Sequence, residues 1–125
     1  MKVYRIYDSC WSTNLWVICP AQNRELDQFI RRKFGIDEKT HDGGFLGRFV
    51  EITGDNNDEV GVVIALRQWT GDSRDYATLS HELLHAVSFF LRNRDIKLSS
   101  KTEETYCYFL DSLMRRCIEK LRGAR

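Results

Sequence analysis

The sequence has little of what extended, fibrous or membrane-spanning chains are built from. It contains one proline and eight glycines in 125 residues, which excludes a collagen-like or linker-dominated architecture. No apolar run approaches the roughly twenty residues of a membrane-spanning helix. Nineteen basic residues against eighteen acidic ones leave a net charge of +1, which disfavours bulk attraction to nucleic acid or to an anionic membrane. We therefore expect a soluble globular protein with no membrane partner.

The N-terminus also lacks the features of a secretory signal. Charge comes early, at Lys2 and Arg5, and no apolar segment follows. The expectation is a chain without a signal peptide and, by default, a cytoplasmic location. The length fits a single domain over 1–125, large enough to bury a core but without room for a second one. The oligomeric state is left open.

The four cysteines form no metal-binding pattern. They contain no C-x-x-C pair, so a zinc site built from cysteine is disfavoured. Cys10 and Cys19 are near enough in the chain to face each other across a hairpin, which leaves a disulfide open. Cys107 and Cys117 are expected on the apolar stripe of the last helix, where a free cysteine acts as a small hydrophobe. We interpret all four as reduced.

Apolar periodicity predicts four strands and three helices. In chain order these are strands 2–8 and 14–19, a helix that starts at Pro20 and ends at Gly35, strands 46–53 and 60–69, and helices at about 72–92 and 102–121. Residues 62–66 are almost continuously apolar, as in a strand covered on both faces. The last helix is expected to bury a stripe of Cys107, Leu110, Met114, Cys117 and Leu121. The pattern predicts an α+β fold in which a small antiparallel or mixed sheet packs against the last two helices, with one further helix near the N-terminus.

The pentapeptide HELLH at 81–85 is the main functional signal, and it lies within the predicted helix 72–92. His81 and His85 are about one turn apart, on a face roughly opposite the apolar stripe, so both can reach one metal ion. Glu82 points beside that ion, where it can take a proton from bound water. This is the H-E-x-x-H pattern of zinc peptidases. Two ordinary surface or core histidines are the alternative, which the helical setting and a later glutamate disfavour.

A carboxylate at the start of the last helix is the candidate third ligand. Helical periodicity slightly favours Glu103, which falls in line with the apolar stripe. However, Ser100 and Glu103 fit a capping box, which would give Glu103 a role at the helix N-terminus. Glu104 is then the free carboxylate. We predict Glu104 as the ligand, with Glu103 as the alternative.

Two short motifs carry a resemblance to a known group of proteins. The segments SHELLHA at 80–86 and ETYCY at 104–108 resemble small metallopeptidase-like proteins of tailed bacteriophages and prophages, which pair H-E-x-x-H-A with a downstream E-x-x-A-Y. Cys107 stands where that pattern usually has alanine. The order of strand, H-E-x-x-H helix, loop and Glu-bearing helix resembles the gluzincin arrangement, over roughly residues 45–115. The resemblance implies a minimal zincin-like fold, with His81, His85 and Glu104 as zinc ligands and Glu82 as catalytic base.

Such a site has a definite chemistry. Two imidazoles and a carboxylate leave one position of a tetrahedral zinc ion for water, whose pKa falls to about 7. Glu82 would accept its proton during attack on an amide carbonyl and return it to the leaving nitrogen. We expect strand 60–69 beside the cleft, where it adds an extended peptide to the sheet. Tyr108, one turn after Glu104, is a candidate to hydrogen-bond substrate or stabilise the oxyanion, with buried packing as its alternative role.

The leading hypothesis is therefore a zinc metallopeptidase acting on peptide or protein, in the host cytoplasm if the chain is phage-encoded. The alternative is a metal-stabilised accessory protein that binds a host or virion partner without hydrolysis. Small size favours that alternative, whereas the presence of Glu82 favours the enzyme. A third and weaker hypothesis is nucleic-acid binding by the basic helix faces, for which solvated helix surfaces are the preferred interpretation.

We assign no function to His41 or to the run GDNND at 54–58. His41 is the only histidine outside the motif and is a conceivable extra ligand, but nothing in its spacing distinguishes it from a loop histidine. The run GDNND at 54–58 superficially resembles a calcium loop. It lacks the terminal glutamate of an EF-hand and is interpreted as a hairpin turn.

Overall fold

The computed structural model describes residues 1–37, 45–53 and 61–123. It contains β1 (Lys2–Asp8), β2 (Thr13–Cys19), α1 (Asn23–Phe34), β3 (Gly47–Ile52), β4 (Gly61–Leu66), α2 (Ser73–Arg92) and α3 (Glu103–Arg122). This confirms the predicted α+β class and the predicted order of elements. His41 and the predicted turn at 54–58 lie outside the described residues.

The strands form one mixed sheet in the order β1-β2-β4-β3. β1 and β2 are an antiparallel hairpin, β2 runs parallel to β4, and β3 runs antiparallel to β4. β4 is therefore an interior strand, and β1 and β3 are the two edges. The helix that carries HELLH is α2, called the motif helix below. The strand order decides which strand can offer an edge for pairing near it.

β4 separates two hydrophobic cores. Val62, Ile64 and Leu66 belong to the core beneath α2 and α3, while Val63 and Ala65 belong to the core beneath α1. Successive side chains of a strand point to opposite faces of the sheet. The prediction that this run is covered on both faces is confirmed, which accounts for its continuous apolar sequence.

α1 begins later than predicted. The main-chain N–H of Ala21 donates to the carbonyl of Leu66 at 3.0 Å, so the chain after β2 still follows the sheet and the helix starts only at Asn23. The prediction of Pro20 as the first helical residue is wrong. The predicted end at Gly35 is confirmed, because this residue has φ 68° and donates its N–H to Arg31, the left-handed geometry in which glycine is favoured.

α3 buries a different face from the predicted one along its first half. Its buried residues are Tyr106, Phe109, Leu113, Cys117 and Leu121. The predicted Cys107 is exposed. The aromatic residues determine the rotation of the helix: the Tyr106 hydroxyl donates to the carbonyl of Ile96, and the Phe109 ring stacks on Trp11 at 5.9 Å.

The N-terminus of α3 also differs from the prediction. Thr102, not Ser100, is the N-cap residue. The carbonyl of Ser99 accepts the N–H of Glu103 at 2.9 Å, and the Thr102 hydroxyl donates back to the carbonyl of Lys97. The capping box predicted for Ser100 and Glu103 is therefore wrong, and the capping role that set Glu103 aside as a ligand falls with it.

All four cysteines are free thiols. Cys19 pairs with Lys2 at the open end of the hairpin, whereas Cys10 lies in the turn at its other end, so the two do not face each other. Burial raises the pKa of Cys19 to about 11 and that of Cys117 to about 12, which keeps both protonated and unreactive. None of the helices in the described ranges has the length and apolar character of a membrane span.

Candidate metal centre

The turn from β4 into α2 fixes how the motif helix leaves the sheet. Asp72 is the N-cap, and its side chain accepts the N–H of Asp75 at 2.9 Å. The carboxylate of Asp75 in turn accepts the Gly71 N–H at 2.8 Å, the Thr70 hydroxyl at 2.9 Å and the Thr70 N–H. These bonds join the loop to the first turn of α2, so the position of the helix N-terminus is fixed relative to the loop.

Asp75 is a residue that the sequence analysis missed. It is only 5 % exposed, and burial alone would raise its pKa. The hydrogen bonds from Thr70 and Gly71 outweigh burial and hold the pKa of this carboxyl below its usual value. An acidic residue three positions after an Asp N-cap, behind a Thr-Gly pair, is the signal that was present in the sequence.

The two histidines lie together on the exposed side of α2. The ring centroids of His81 and His85 are 5.1 Å apart, with the ring planes inclined by 72°. Both residues are exposed, as expected for the face opposite the apolar stripe. Phe49 from β3 stacks on His85, with centroids 5.4 Å apart and an interplanar angle of 26°. The edge strand therefore holds one of the two imidazoles in place.

Glu82 lies on the inner side of the histidine pair. It is 7 % exposed, and it packs against the first residue of β3: a Cβ built on Gly47 would lie 3.0 Å from the Glu82 Cγ and 3.3 Å from its Oε1. Burial raises the pKa of Glu82 above its usual value, and positive charge on His81 and His85 opposes that rise. A carboxylate whose pKa is raised is a stronger general base than an ordinary surface glutamate.

A shallow depression opens beside these residues, between the first half of α2 and the start of β3. Its volume is about 420 Å³. The residues that line it are Phe45, Leu46, Gly47, Ala77, Thr78, His81 and Glu82. One predicted ligand and the predicted base thus share a single surface with several apolar side chains.

The strand beside this depression is β3, and the prediction that strand 60–69 lies there with a free edge is wrong. β4 is hydrogen-bonded to β2 on one side and to β3 on the other, so its main chain has no free edge. β3 is the terminal strand of the sheet. Among the strands that the structure describes, β3 is therefore the one with which an extended peptide next to the histidines would pair.

Glu104 and Tyr108 lie on the exposed side of α3, and Tyr108 is 70 % exposed. Buried packing is therefore not the role of Tyr108. Across residues 1–37, 45–53 and 61–123, no group of three or more His, Cys, Asp or Glu side chains is gathered closely enough to hold a metal ion. The structure thus brings His81, His85 and Glu82 together but does not gather Glu104 with them, and the third ligand stays a prediction.

The residues present fit a zinc ion in part. Two imidazoles one helical turn apart are a ligand pair of the right type, and the buried Glu82 lies next to them without completing a three-ligand cluster. No family model, no curated protein and no solved structure matches the chain. This site and the two motifs are therefore the features that bear on function.

Proposed function

We propose that the protein is a zinc-dependent metallopeptidase in which His81 and His85 bind the metal ion and Glu82 is the general base. The observation that carries this proposal is a buried acid beside an exposed histidine pair, on one turn of one helix. Burying a carboxylate costs free energy unless the group is paired or hydrogen-bonded. If the two histidines were only surface residues, nothing would offset the free energy lost by burying Glu82.

The metal ion, Glu82 and Phe49 have different proposed roles in peptide hydrolysis. When bound, zinc supplies Lewis-acid activation of a water molecule and of the substrate carbonyl. Glu82 accepts the proton of the attacking water and transfers it to the leaving nitrogen. Phe49 restricts the plane of the His85 imidazole by stacking on it, which reduces the conformational freedom that the ligand loses on binding.

We propose Glu104 as the third ligand, and Tyr108 as a residue that contacts substrate. The support for Glu104 is its place in the E-x-x-A-Y-like segment. The capping role that would have excluded Glu103 as a ligand is absent, so it no longer supports Glu104. Glu103 is the alternative ligand. The support for Tyr108 is its exposure of 70 %, which leaves its hydroxyl free to donate to a bound peptide or an oxyanion.

An extended peptide or a protein segment is the proposed substrate. Within the described residues, β3 is an edge strand in contact with α2, and a peptide main chain can pair with that edge. The apolar side chains of Phe45, Leu46 and Ala77 next to His81 and Glu82 offer contact to one substrate side chain. We further propose a cytoplasmic location, in the host cell if the chain is phage-encoded; its support is four unpaired thiols, which suit a reducing compartment.

A second candidate function is a metal-stabilised accessory protein that binds a host or virion partner without hydrolysis. The observation that favours it is the exposure of three large side chains on or next to the last two helices. Leu84 is 48 % exposed, Leu98 is 62 % exposed and Tyr108 is 70 % exposed. Each of these side chains offers apolar area that a bound partner could cover.

Metal content tests both candidates first. Elemental analysis of the purified protein is expected to give about one zinc per chain. His81→Ala and His85→Ala should each lose that zinc and, because metal bound only to the native state stabilises it, should unfold at lower temperature. His41→Ala is the matched control and should keep the metal. A wild-type protein that contains no transition metal and takes up none on addition of zinc would refute both candidates.

A further inference from the structure

We infer that Gly47 is a positioning residue for Glu82, because only a residue without a side chain lets the edge strand come close enough to hold that carboxylate beside His81. The inference about geometry concerns the protein itself, and its consequence for catalysis rests on the proposed function. Gly47 is the first residue of β3 and lines the same depression as Glu82 and His81.

The space at Gly47 is already filled by two side chains of α2. A Cβ at this position would lie 2.6 Å from the Thr78 Cγ2, 3.0 Å from the Glu82 Cγ and 3.3 Å from the Glu82 Oε1. The first of these distances is well inside van der Waals contact, so some group must move. Gly47 is also not among the described residues with positive φ. The glycine is therefore needed for space rather than for backbone conformation.

The backbone on both sides of this contact is held in place. Gly47 pairs with Leu66 in the sheet, and the Arg67 N–H donates to the carbonyl of Leu46 at 3.0 Å. On the other side, the hydrogen bonds of Asp75 fix the start of α2. A new methyl group at position 47 must then be accommodated by the side chains of Thr78 and Glu82.

The two side chains respond differently, and moving Glu82 does not relieve the 2.6 Å overlap with the Thr78 Cγ2, which costs stability. Thr78 is β-branched and lies inside a helix, where few χ1 rotamers are accessible to it. Glu82 has three rotatable bonds and lies at the border of the open depression, so its carboxylate can swing toward solvent. A general base displaced by about 1 Å can lower a rate by about a hundredfold. The imidazoles and the edge of β3 would keep their positions, so metal binding and substrate binding should change little.

Gly47→Ala tests this inference, alone and combined with Thr78→Ser. The serine substitution removes the Cγ2 that lies 2.6 Å from the new methyl group but leaves the 3.0 Å approach to Glu82. Gly123→Ala is the control, since a Cβ there meets only the Lys120 carbonyl at 3.5 Å. Two readouts are taken on each variant: the NMR shifts of the Glu82 side-chain methylenes in metal-free protein, assigned with Glu82→Gln, and kcat, KM and zinc affinity of the zinc-loaded protein.

The expected result is a shift of the Glu82 resonances and at least a tenfold fall in kcat for Gly47→Ala, with KM and zinc affinity within about threefold of wild type. The double variant should regain stability but keep both effects, and it replaces the single variant if that one does not fold. Unmoved Glu82 resonances in the folded variants, or recovery of kcat on adding Thr78→Ser, would overturn the inference. If wild type cleaves nothing, the proposed function fails, and the NMR shifts alone decide whether Gly47 positions Glu82.

Discussion

The rings of Phe49 and His85 lie face to face, with centroids 5.4 Å apart and planes inclined by only 26°. Phe49 belongs to the edge strand β3 and His85 to the motif helix α2. Phe49 also meets the ring of Phe89 edge-on at 6.4 Å and packs against the core beneath α2 and α3, which holds the phenylalanine in place. This contact fixes one proposed zinc ligand before any metal binds.

Replacing Phe49 by leucine should therefore weaken metal binding without removing a ligand. We expect a loss of about 1 kcal/mol of stability from the lost aromatic contacts. Zinc affinity should fall by a few-fold to about tenfold, because the His85 ring loses the neighbour that orients it. Competition with a chromogenic chelator measures the affinity.

Phe29→Leu is the matched control for that substitution, because Phe29 makes an edge contact with Phe34 at 6.1 Å in the other core. It should lose comparable stability and keep full zinc affinity. Equal affinity in Phe49→Leu and Phe29→Leu would show that the stacking does not prepare His85.

Asp75 should make part of the stability depend on pH. Its pKa lies below the usual value because Thr70 and Gly71 donate hydrogen bonds to the carboxylate. The unfolded-state pKa is about 3.9, so the stabilisation is complete above that pH and is lost as the pH falls through the lower, folded-state value. Asp75→Asn should lose about 1–3 kcal/mol at pH 7, the contribution of hydrogen bonds to a charged group.

Urea unfolding of both proteins between pH 7 and pH 3 checks this prediction. The difference in unfolding free energy should narrow progressively below about pH 4, where Asp75 becomes protonated in the unfolded chain while the folded protein still keeps it ionised. Asp111→Asn is the control, since Asp111 is exposed and only pairs with Arg115 at 3.4 Å. A difference between wild type and Asp75→Asn that stays constant with pH would contradict the account.

The motif helix could be predicted from local signals. The predicted start, at about residue 72, lies within one residue of the observed start at Ser73. The continuous apolar run of β4 likewise predicted burial on both faces. These signals are local because the periodicity of apolar residues acts within one element.

The errors concern what lies between elements. The hydrophobic pattern of β3 and β4 predicts two strands but not which of them is the edge, since pairing with β2 is a long-range contact. Ser99, Ser100 and Thr102 all carry hydroxyl groups, and only the folded turn selects Thr102 as the cap. The rotation of α3 depends in part on Trp11, which lies more than ninety positions away from Phe109 in the chain.

The choice between Glu103 and Glu104 as third ligand depended on the capping box that was wrongly predicted for Ser100 and Glu103. Without a capping role for Glu103, the prediction of Glu104 rests on the motif pattern alone. Glu104→Ala should weaken zinc affinity by well over tenfold. Glu103→Ala should leave affinity nearly intact and, as an exposed residue without a cap to lose, should change stability by less than about 0.5 kcal/mol.

Chelator competition on both glutamate variants decides between the two. The reverse ranking would identify Glu103 as the ligand. Equal and negligible effects would mean that neither residue contributes to the metal site.

Cleavage by zinc-loaded protein tests the central claim most directly. Wild type and Glu82→Gln, each shown to be folded and to hold about one zinc, are incubated with a broad peptide library, with and without chelator. Wild type should cleave peptides, chelator should abolish the cleavage, and Glu82→Gln should be slower by about a hundredfold or more because it lacks the general base. Zinc-loaded wild type that cleaves nothing in the library, or a Glu82→Gln protein as active as wild type, would contradict the account.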